Sequence, residues 1–299
     1  AVARAQAAGI VVVLATGRVL PSAWVYARQL GLKGPLVVSD GAVLATLGRP
    51  PRWGPPGARP APEATASSGS TGFTGCAGGR GPEPHGAWPR RGPWTVFDVR
   101  PFPRDMAAAV TAELIAAGCP VVVQFPQSLA SSRRPPVGTL VRSLAVPYLR
   151  HYWALRRYVA VVPGVELARF VERAPEPPVK VSALGDAATL RPLEQRIVQR
   201  YGAILRLTHS GPGSFDLLPP GIHKAAGLER LAAHLGIPRE QVVAVGDNDN
   251  DCEMLRWAGL GVAMGNAHPD VKAVADYVTA TNGEDGVARL IEEVLLRSS

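Results

Sequence analysis

Asp247, Asp249 and Asp251 place three carboxylates within five residues, directly after the apolar run Val242-Val-Ala-Val-Gly246. Like charges that close repel unless a cation or solvent compensates, and oxygen-only donors favour a hard ion such as Mg²⁺ over zinc or copper. A continuous Val/Ala run reads as a buried β-strand, and open α/β sheets bind ligands just beyond the carboxyl ends of their strands. Asp247 is therefore predicted to lie at a ligand crevice. Its neighbours have structural roles available to them. Asn250 with Glu253 three positions on fits an N-cap pair, and Asp251 in a first helical turn suits the positive end of the helix dipole. Asp247 has no such role, since it stands at no capping offset and is disfavoured in strands.

Two further side chains fit the same chemistry. Thr16 directly follows an apolar strand, and Lys224 opens a helix after Gly221-Ile-His223. A hydroxyl, an ammonium and a carboxylate converging on one sheet edge suit phosphate: the first two bind non-bridging oxygens, while the carboxylate holds Mg²⁺. Each has a plainer alternative, since Thr16 can cap the following helix and Lys224 can be a solvated lysine. Lysine is scarce beside arginine in this chain, which sets Lys224 apart. His151, His209 and His223 lack a second His or Cys at ligand spacing and read as turn or surface residues.

The elements needed to position these groups follow from pattern. Arg4–Gly9 reads as the end of a helix, Ile10–Leu14 as a strand of branched residues, Ser22–Leu30 as a helix stopped by Gly31, and Pro35–Ser39 as a second strand. That is βαβ grammar and implies a parallel sheet. Nearly half of residues 48–93 are Gly or Pro with almost no branched aliphatics, a composition that cannot bury a core. Strands are predicted at Thr95–Val99, Val121–Phe125, Val179–Leu184, Ala203–Thr208 and Ser214–Leu218, with helices near Arg104–Ala117 and Leu190–Tyr201. The βαβ pattern returns with helix Lys224–Leu235, whose Ala225, Leu228, Leu231, Ala232 and Leu235 share one face. Helix Asp251–Ala258, strand Gly261–Met264, a turn of helix at Asp270–Ala275, strand Tyr277–Thr279 and helix Gly286–Arg297 complete the chain. The reading is an α/β core in two parts, 1–47 and 220–299, interrupted by a Gly/Pro-rich insertion at 48–93 and an α+β domain at 94–219.

A chain of 299 residues with 46% apolar content supports about two globular domains. It contains no apolar run near the roughly twenty residues that span a bilayer and no basic-then-apolar leader, so no membrane partner and a cytoplasmic location are expected. Cys76, Cys119 and Cys252 lie far apart without CxxC spacing and read as reduced thiols. The formal charge of +8 favours anionic ligands. Its arginines are dispersed, pairs such as Arg133-Arg134 and Arg156-Arg157 reading as solvated surface, so no nucleic-acid partner is expected. Tyr148, Tyr152 and Trp153 are expected to pack within the inserted domain.

Several segments together resemble a known family. Ala15-Thr16-Gly17-Arg18, Ser39-Asp40-Gly41-Ala42, His223-Lys224, Gly246-Asp247-x-x-Asn250-Asp251-x-x-Met254-Leu255, Val262-Ala-Met-Gly265-Asn-Ala267 and Thr281-Asn-Gly283-Glu-Asp285-Gly-Val-Ala288 occur in the order and spacing of the Cof-type phosphatases. These belong to the haloacid dehalogenase superfamily, in the branch with a large α/β cap inserted in a Rossmann-like parallel-sheet core. The match covers roughly the first forty-five residues and the last ninety. The resemblance implies hydrolysis of small phosphorylated metabolites such as sugar phosphates, through an aspartyl-phosphate intermediate with Mg²⁺. It further implies that Thr16 and Gly17 bind phosphoryl oxygens, Lys224 holds them and stabilises charge, Asn250 touches phosphate and Asp247 ligates Mg²⁺. Asp251 is implied to support the metal, directly or from behind.

The departures shape the expectation equally. The family's opening motif, a strand ending in Asp-x-Asp-Gly-Thr that carries nucleophile and general acid/base, occurs nowhere in the 299 residues; Phe97-Asp98-Val99 and Phe215-Asp216-Leu217 lack its second acid. The chain is therefore expected to be an amino-terminally truncated enzyme, inactive alone, with a non-catalytic phosphate-binding relative as the alternative. Asp40 stands where the family more often has Asn, adding negative charge beside a phosphate site.

Overall fold

The computed structural model describes residues 1–48, 92–133, 156–209 and 213–296. Most of the Gly/Pro-rich stretch, together with Arg134, Tyr148, His151, Tyr152, Trp153 and Arg297, lies outside them. The first part opens with α1 (Val2–Ala7), β1 (Leu14–Ala15), α2 (Leu20–Gln29), β2 (Pro35–Val38) and β3 (Val43–Leu47), followed after the gap by β4 (Trp94–Val99). The middle part runs α3 (Arg104–Ala116), β5 (Val121–Gln124), β6 (Leu129–Ser131), β7 (Val159–Val161), α4 (Gly164–Arg173), β8 (Lys180–Leu184), α5 (Ala187–Tyr201), β9 (Arg206–Thr208) and β10 (Ser214–Leu218). The last part holds α6 (Lys224–Leu235), β11 (Val243–Gly246), α7 (Cys252–Trp257), β12 (Leu260–Ala263), α8 (Pro269–Lys272), β13 (Tyr277–Val278) and α9 (Gly286–Arg289).

The described strands form three sheets, ordered β1-β2-β3-β4, β7-β6-β5-β8-β10-β9 and β11-β12-β13. The last is wholly parallel, as the βαβ pattern requires. In the first sheet β1 pairs with β2 in parallel, Leu14 opposite Leu36, and β3 then returns antiparallel with Val37 opposite Leu44. From sequence the inserted domain opens at residue 94, yet β4 ladders onto β3, with a register shift at Leu44/Ala45, and so lies in the first sheet. The predicted strand Ile10–Leu14 shortens to Leu14–Ala15, because only these residues find partners on β2. The predicted helix Gly286–Arg297 keeps α geometry for one turn and widens into a π-helix over Leu290–Leu295.

Packing explains the positions. The six-stranded sheet buries Val121, Val123, Val181, Phe215 and Leu217 against Leu114 of α3 and Leu167 and Val171 of α4. Helix α6 joins the other two sheets: its Ala225, Leu228 and Leu231 share one cluster with Val37 and Leu44 of the first sheet and Ala244 of β11. Its boundaries match the sequence pattern because both ends are capped, by His223 Nδ1 accepting from the Ala226 N–H and by left-handed Gly236. Glycines let α6 approach closely. A Cβ on Gly227 would fall 2.6 Å from Val37 Cγ1 and 2.7 Å from Gly41 Cα, so helix and Ser39–Gly41 turn touch through backbone.

Candidate functional site

The turns that follow β2 and β11 meet the first turn of α6, and the turn after β1 joins them through Asp40. Thr16 leaves β1 with its N–H bonded to Val37 O at 2.8 Å, and its carbonyl accepts from the Asp40 N–H at 3.2 Å. The Thr16 hydroxyl oxygen accepts from the Arg18 N–H at 3.2 Å, which fixes the small loop through Gly17. The alternative helix-capping role is not taken, since α2 begins at Leu20 after Val19 without a side-chain cap.

Ser39 and Asp40, which follow β2, both adopt left-handed backbone with φ of 51° and 54°. Such geometry is costly for a residue with a Cβ and persists where surrounding contacts hold it. Here they do. Asp40 is buried, and its two oxygens accept from Asn250 Nδ2 at 3.1 Å and Lys180 Nζ at 2.9 Å. Burial alone would raise its carboxyl, but the Lys180 and Lys224 ammoniums and the Asn250 bond prevail and hold it below the usual carboxylate range.

Beyond β11 the acidic turn resolves into distinct roles. Asn248, not Asn250, caps the helical segment: Asn248 and Asp251 form a capping box, with Asp251 Oδ2 accepting from the Asp247 and Asn248 N–H groups at 3.1 Å each. The expected Asn250/Glu253 pair is thereby corrected. Asn250 instead faces inward and bridges Asp40 and Lys224, accepting from Lys224 Nζ at 3.2 Å. Lys224 is buried rather than solvated, and it donates to Asp251 Oδ1 at 2.6 Å. Gly246 makes this possible, because a Cβ there would lie 2.4 Å from that of Asp251. Asp247 stays exposed, its Oδ1 accepting from Asn248 Nδ2 at 3.1 Å.

Thr16, Asp40, Asn250, Lys224, Asp251 and Asp247 thus form one hydrogen-bonded path across three strand ends. Three groups that the sequence did not assign to the site complete it: Lys180 on β8, Asp216 on β10 and Gln124 on β5. Their signal was a charge or amide within runs of branched residues, Val179-Lys-Val and Phe215-Asp-Leu, where a solvated side chain has no place.

The resemblance noted in the sequence implies Mg²⁺. Among the described residues no group of three or more His, Cys, Asp or Glu stands at metal-holding separation. The exposed Asp247 carboxylate nonetheless suits a hydrated Mg²⁺, which is commonly held by one or two carboxylates plus substrate phosphate and retained waters. Asp251 has both oxygens committed to Lys224 and to backbone N–H groups, so it fits behind the ion rather than on it.

Comparison with known proteins bears on this arrangement. Residues 164–291 match the family described as haloacid dehalogenase-like hydrolase. A 5-amino-6-(5-phospho-D-ribitylamino)uracil phosphatase of Bacillus subtilis is 51% identical over 78 residues, 26% of this chain and 29% of its own length. An Escherichia coli phosphatase of the same name is 43% identical over 103 residues, 34% of this chain and 38% of its own length. The chain therefore matches well under half of these relatives. A haloacid dehalogenase-like hydrolase from B. subtilis superposes with a TM-score of 0.69 at 23% identity, over 98% of this chain and 90% of the other.

Proposed function

From the match of residues 164–291 to the haloacid dehalogenase-like hydrolase family and the shared fold, we propose that the chain is the phosphate-binding body of a Mg²⁺-dependent phosphomonoesterase for small phosphorylated metabolites. The observation that carries this reading is the buried Lys224, tied to Asn250 and Asp251 and linked through Asn250 and Asp40 to the Thr16 loop. An ammonium has three donors, and Asn250 and Asp251 engage two of them, so a third is suited to a phosphoryl oxygen. The Thr16 hydroxyl and the Gly17 loop bind further oxygens, and the Asn250 amide, fixed between Asp40 and Lys224, orients the group. Asp251 holds Lys224 in register. When bound at Asp247, Mg²⁺ supplies charge neutralisation on the phosphoryl group. A polyol phosphate like that named for the relatives is the favoured substrate class.

The attack that the resemblance implies needs a carboxylate nucleophile, and the 299 residues carry no Asp-x-Asp-Gly-Thr segment. This polypeptide is accordingly proposed to bind phosphomonoester without turning it over. Calorimetric titration with inorganic phosphate and Mg²⁺, alongside a turnover assay with p-nitrophenyl phosphate, tests both halves. Saturable binding lost in Thr16→Ala, without turnover, supports the reading. Absence of binding sinks it. A strand bearing Asp-x-Asp-Gly-Thr fused ahead of Ala1 separates the enzyme from its alternative, a non-catalytic phosphate-binding relative, since only the enzyme then turns over.

A further inference from the structure

Lys180 projects from the middle of the six-stranded sheet and is among the most deeply buried side chains, at 1% exposure. Its three donors meet three acceptors on three separate elements. Lys180 Nζ bonds Gly17 O at 2.9 Å in the turn after β1, Asp40 Oδ2 at 2.9 Å in the turn after β2, and Asp216 Oδ2 at 3.0 Å on β10. The other Asp216 oxygen accepts from Ser182 Oγ at 2.6 Å. Gln124, directly opposite Lys180 in the β5/β8 ladder, reaches the same two turns: its Oε1 accepts from Ser39 Oγ at 2.9 Å and its Nε2 lies 3.5 Å from Gly17 O. Two neighbouring strands of the inserted unit therefore grip the Thr16–Gly17 loop and the left-handed Ser39–Asp40 turn at once.

Stability alone does not account for such a cluster, because well-packed apolar residues commonly replace buried ion triads without loss. Geometry does. We propose that Lys180 is a positioning residue for the phosphate site: by clamping the Gly17 carbonyl and Asp40 it sets the Thr16 hydroxyl and the Asn250 amide toward one ligand. It thereby ties phosphate affinity to the seating of the six-stranded unit on the first sheet. This role rests on the phosphate-site reading above, which the experiment separates from the clamp itself.

Lys180→Met alone strands two buried carboxylates and is apt to unfold, so the test variant combines Lys180→Met with Asp40→Asn and Asp216→Asn. Asn tolerates the left-handed turn. A second variant, Gln124→Leu, weakens the grip without altering charge. Amide hydrogen exchange followed by NMR and calorimetric titration with inorganic phosphate are measured on each folded chain. The clamp predicts exchange at Thr16, Arg18, Ser39 and Asp40 at least ten-fold faster in the triple variant, with β10 and α6 unchanged, and at least five-fold weaker phosphate binding. Gln124→Leu is expected to move both readouts in the same direction with smaller amplitude. Unchanged exchange at those amides overturns the clamp, as does acceleration spread evenly through the molecule. Faster local exchange with parental phosphate affinity overturns the positioning role. A parent chain that takes up no phosphate defeats the phosphate-site reading, and the positioning role with it, while the exchange data still report on the clamp.

Discussion

Lys224 shows how one buried charge serves two purposes. Its ammonium pairs with Asp251 and, in the proposed site, also meets phosphate, so its removal is expected to be felt twice. A hydrogen bond to a charged group contributes about 1.5–3 kcal/mol, and Lys224→Met is expected to weaken phosphate binding by about 10- to 100-fold in calorimetry. The unpaired Asp251 would also destabilise the fold; adding Asp251→Asn should recover thermal stability but not affinity. Recovered affinity in the double variant would remove Lys224 from the site. His223, next to it, predicts a pH effect. Burial holds its imidazole below the ordinary value of 6.5, and the neutral Nδ1 accepts the Ala226 N–H. With the folded pKa depressed, the unfolded chain takes up the proton first. Stability is full above about pH 6.5 and declines as pH falls below it. His223→Asn keeps a capping acceptor without titrating and should flatten the melting temperature between pH 7 and 5; an unchanged slope would place the effect elsewhere.

The residue scale also shows what sequence can convey. Thr16, Lys224 and Asp247 were legible because each ends or opens an element of recognisable pattern. Asn250 was legible only through family resemblance, its local pattern suggesting a cap that Asn248 supplies instead. Lys180 was hidden because its partner Asp40 is 140 residues away, and no local periodicity encodes a contact of that separation.

Among elements, α6 was readable to its last residue, with apolar positions on one face, a capping side chain and a glycine stop. Strand β3 was missed because the turn before it, Ser39–Gly41, uses left-handed non-glycine residues that tertiary contacts impose. Helix α4 was missed although Leu167 and Val171 lie four apart and are its buried positions. Strands β6 and β7, three residues each, are too short to show a period. The glycine contact of α6 gives an elemental prediction. Gly→Ala inside a helix ordinarily stabilises by about 0.5–1 kcal/mol. At Gly227 the added methyl meets Val37 and Gly41, and overpacking of about 1–3 kcal/mol should prevail. Chemical denaturation of Gly227→Ala is expected to show net destabilisation, and weaker phosphate binding as Lys224 moves with its helix. A stabilised variant would mean that the helix does not seat on the turn as described.

At the scale of the whole molecule, the parallel strands β1 and β11 each have one ladder partner among the described residues, β2 and β12. Both carry the Thr16 and Asp247 ends of the site, yet neither is sealed as inner parallel strands usually are. Val243 and Val245 remain partly exposed while the β2 run Pro35–Val38 is fully buried, and Val11 ahead of β1 is 40% exposed. Apolar strands with open edges are a liability that pairing removes. A parallel strand ending in Asp-x-Asp-Gly-Thr, laid along either edge, would deliver its acids beside Thr16 and Asp247, where the proposed chemistry needs a nucleophile. Fusing that strand to the chain is expected to raise the melting temperature by about 2–4 °C for each kcal/mol gained, and to slow amide exchange along Val243–Gly246 and Leu14–Ala15. A fusion that gains neither stability nor protection at these strands would show that the edges are closed by other means and that neither edge seats such a strand.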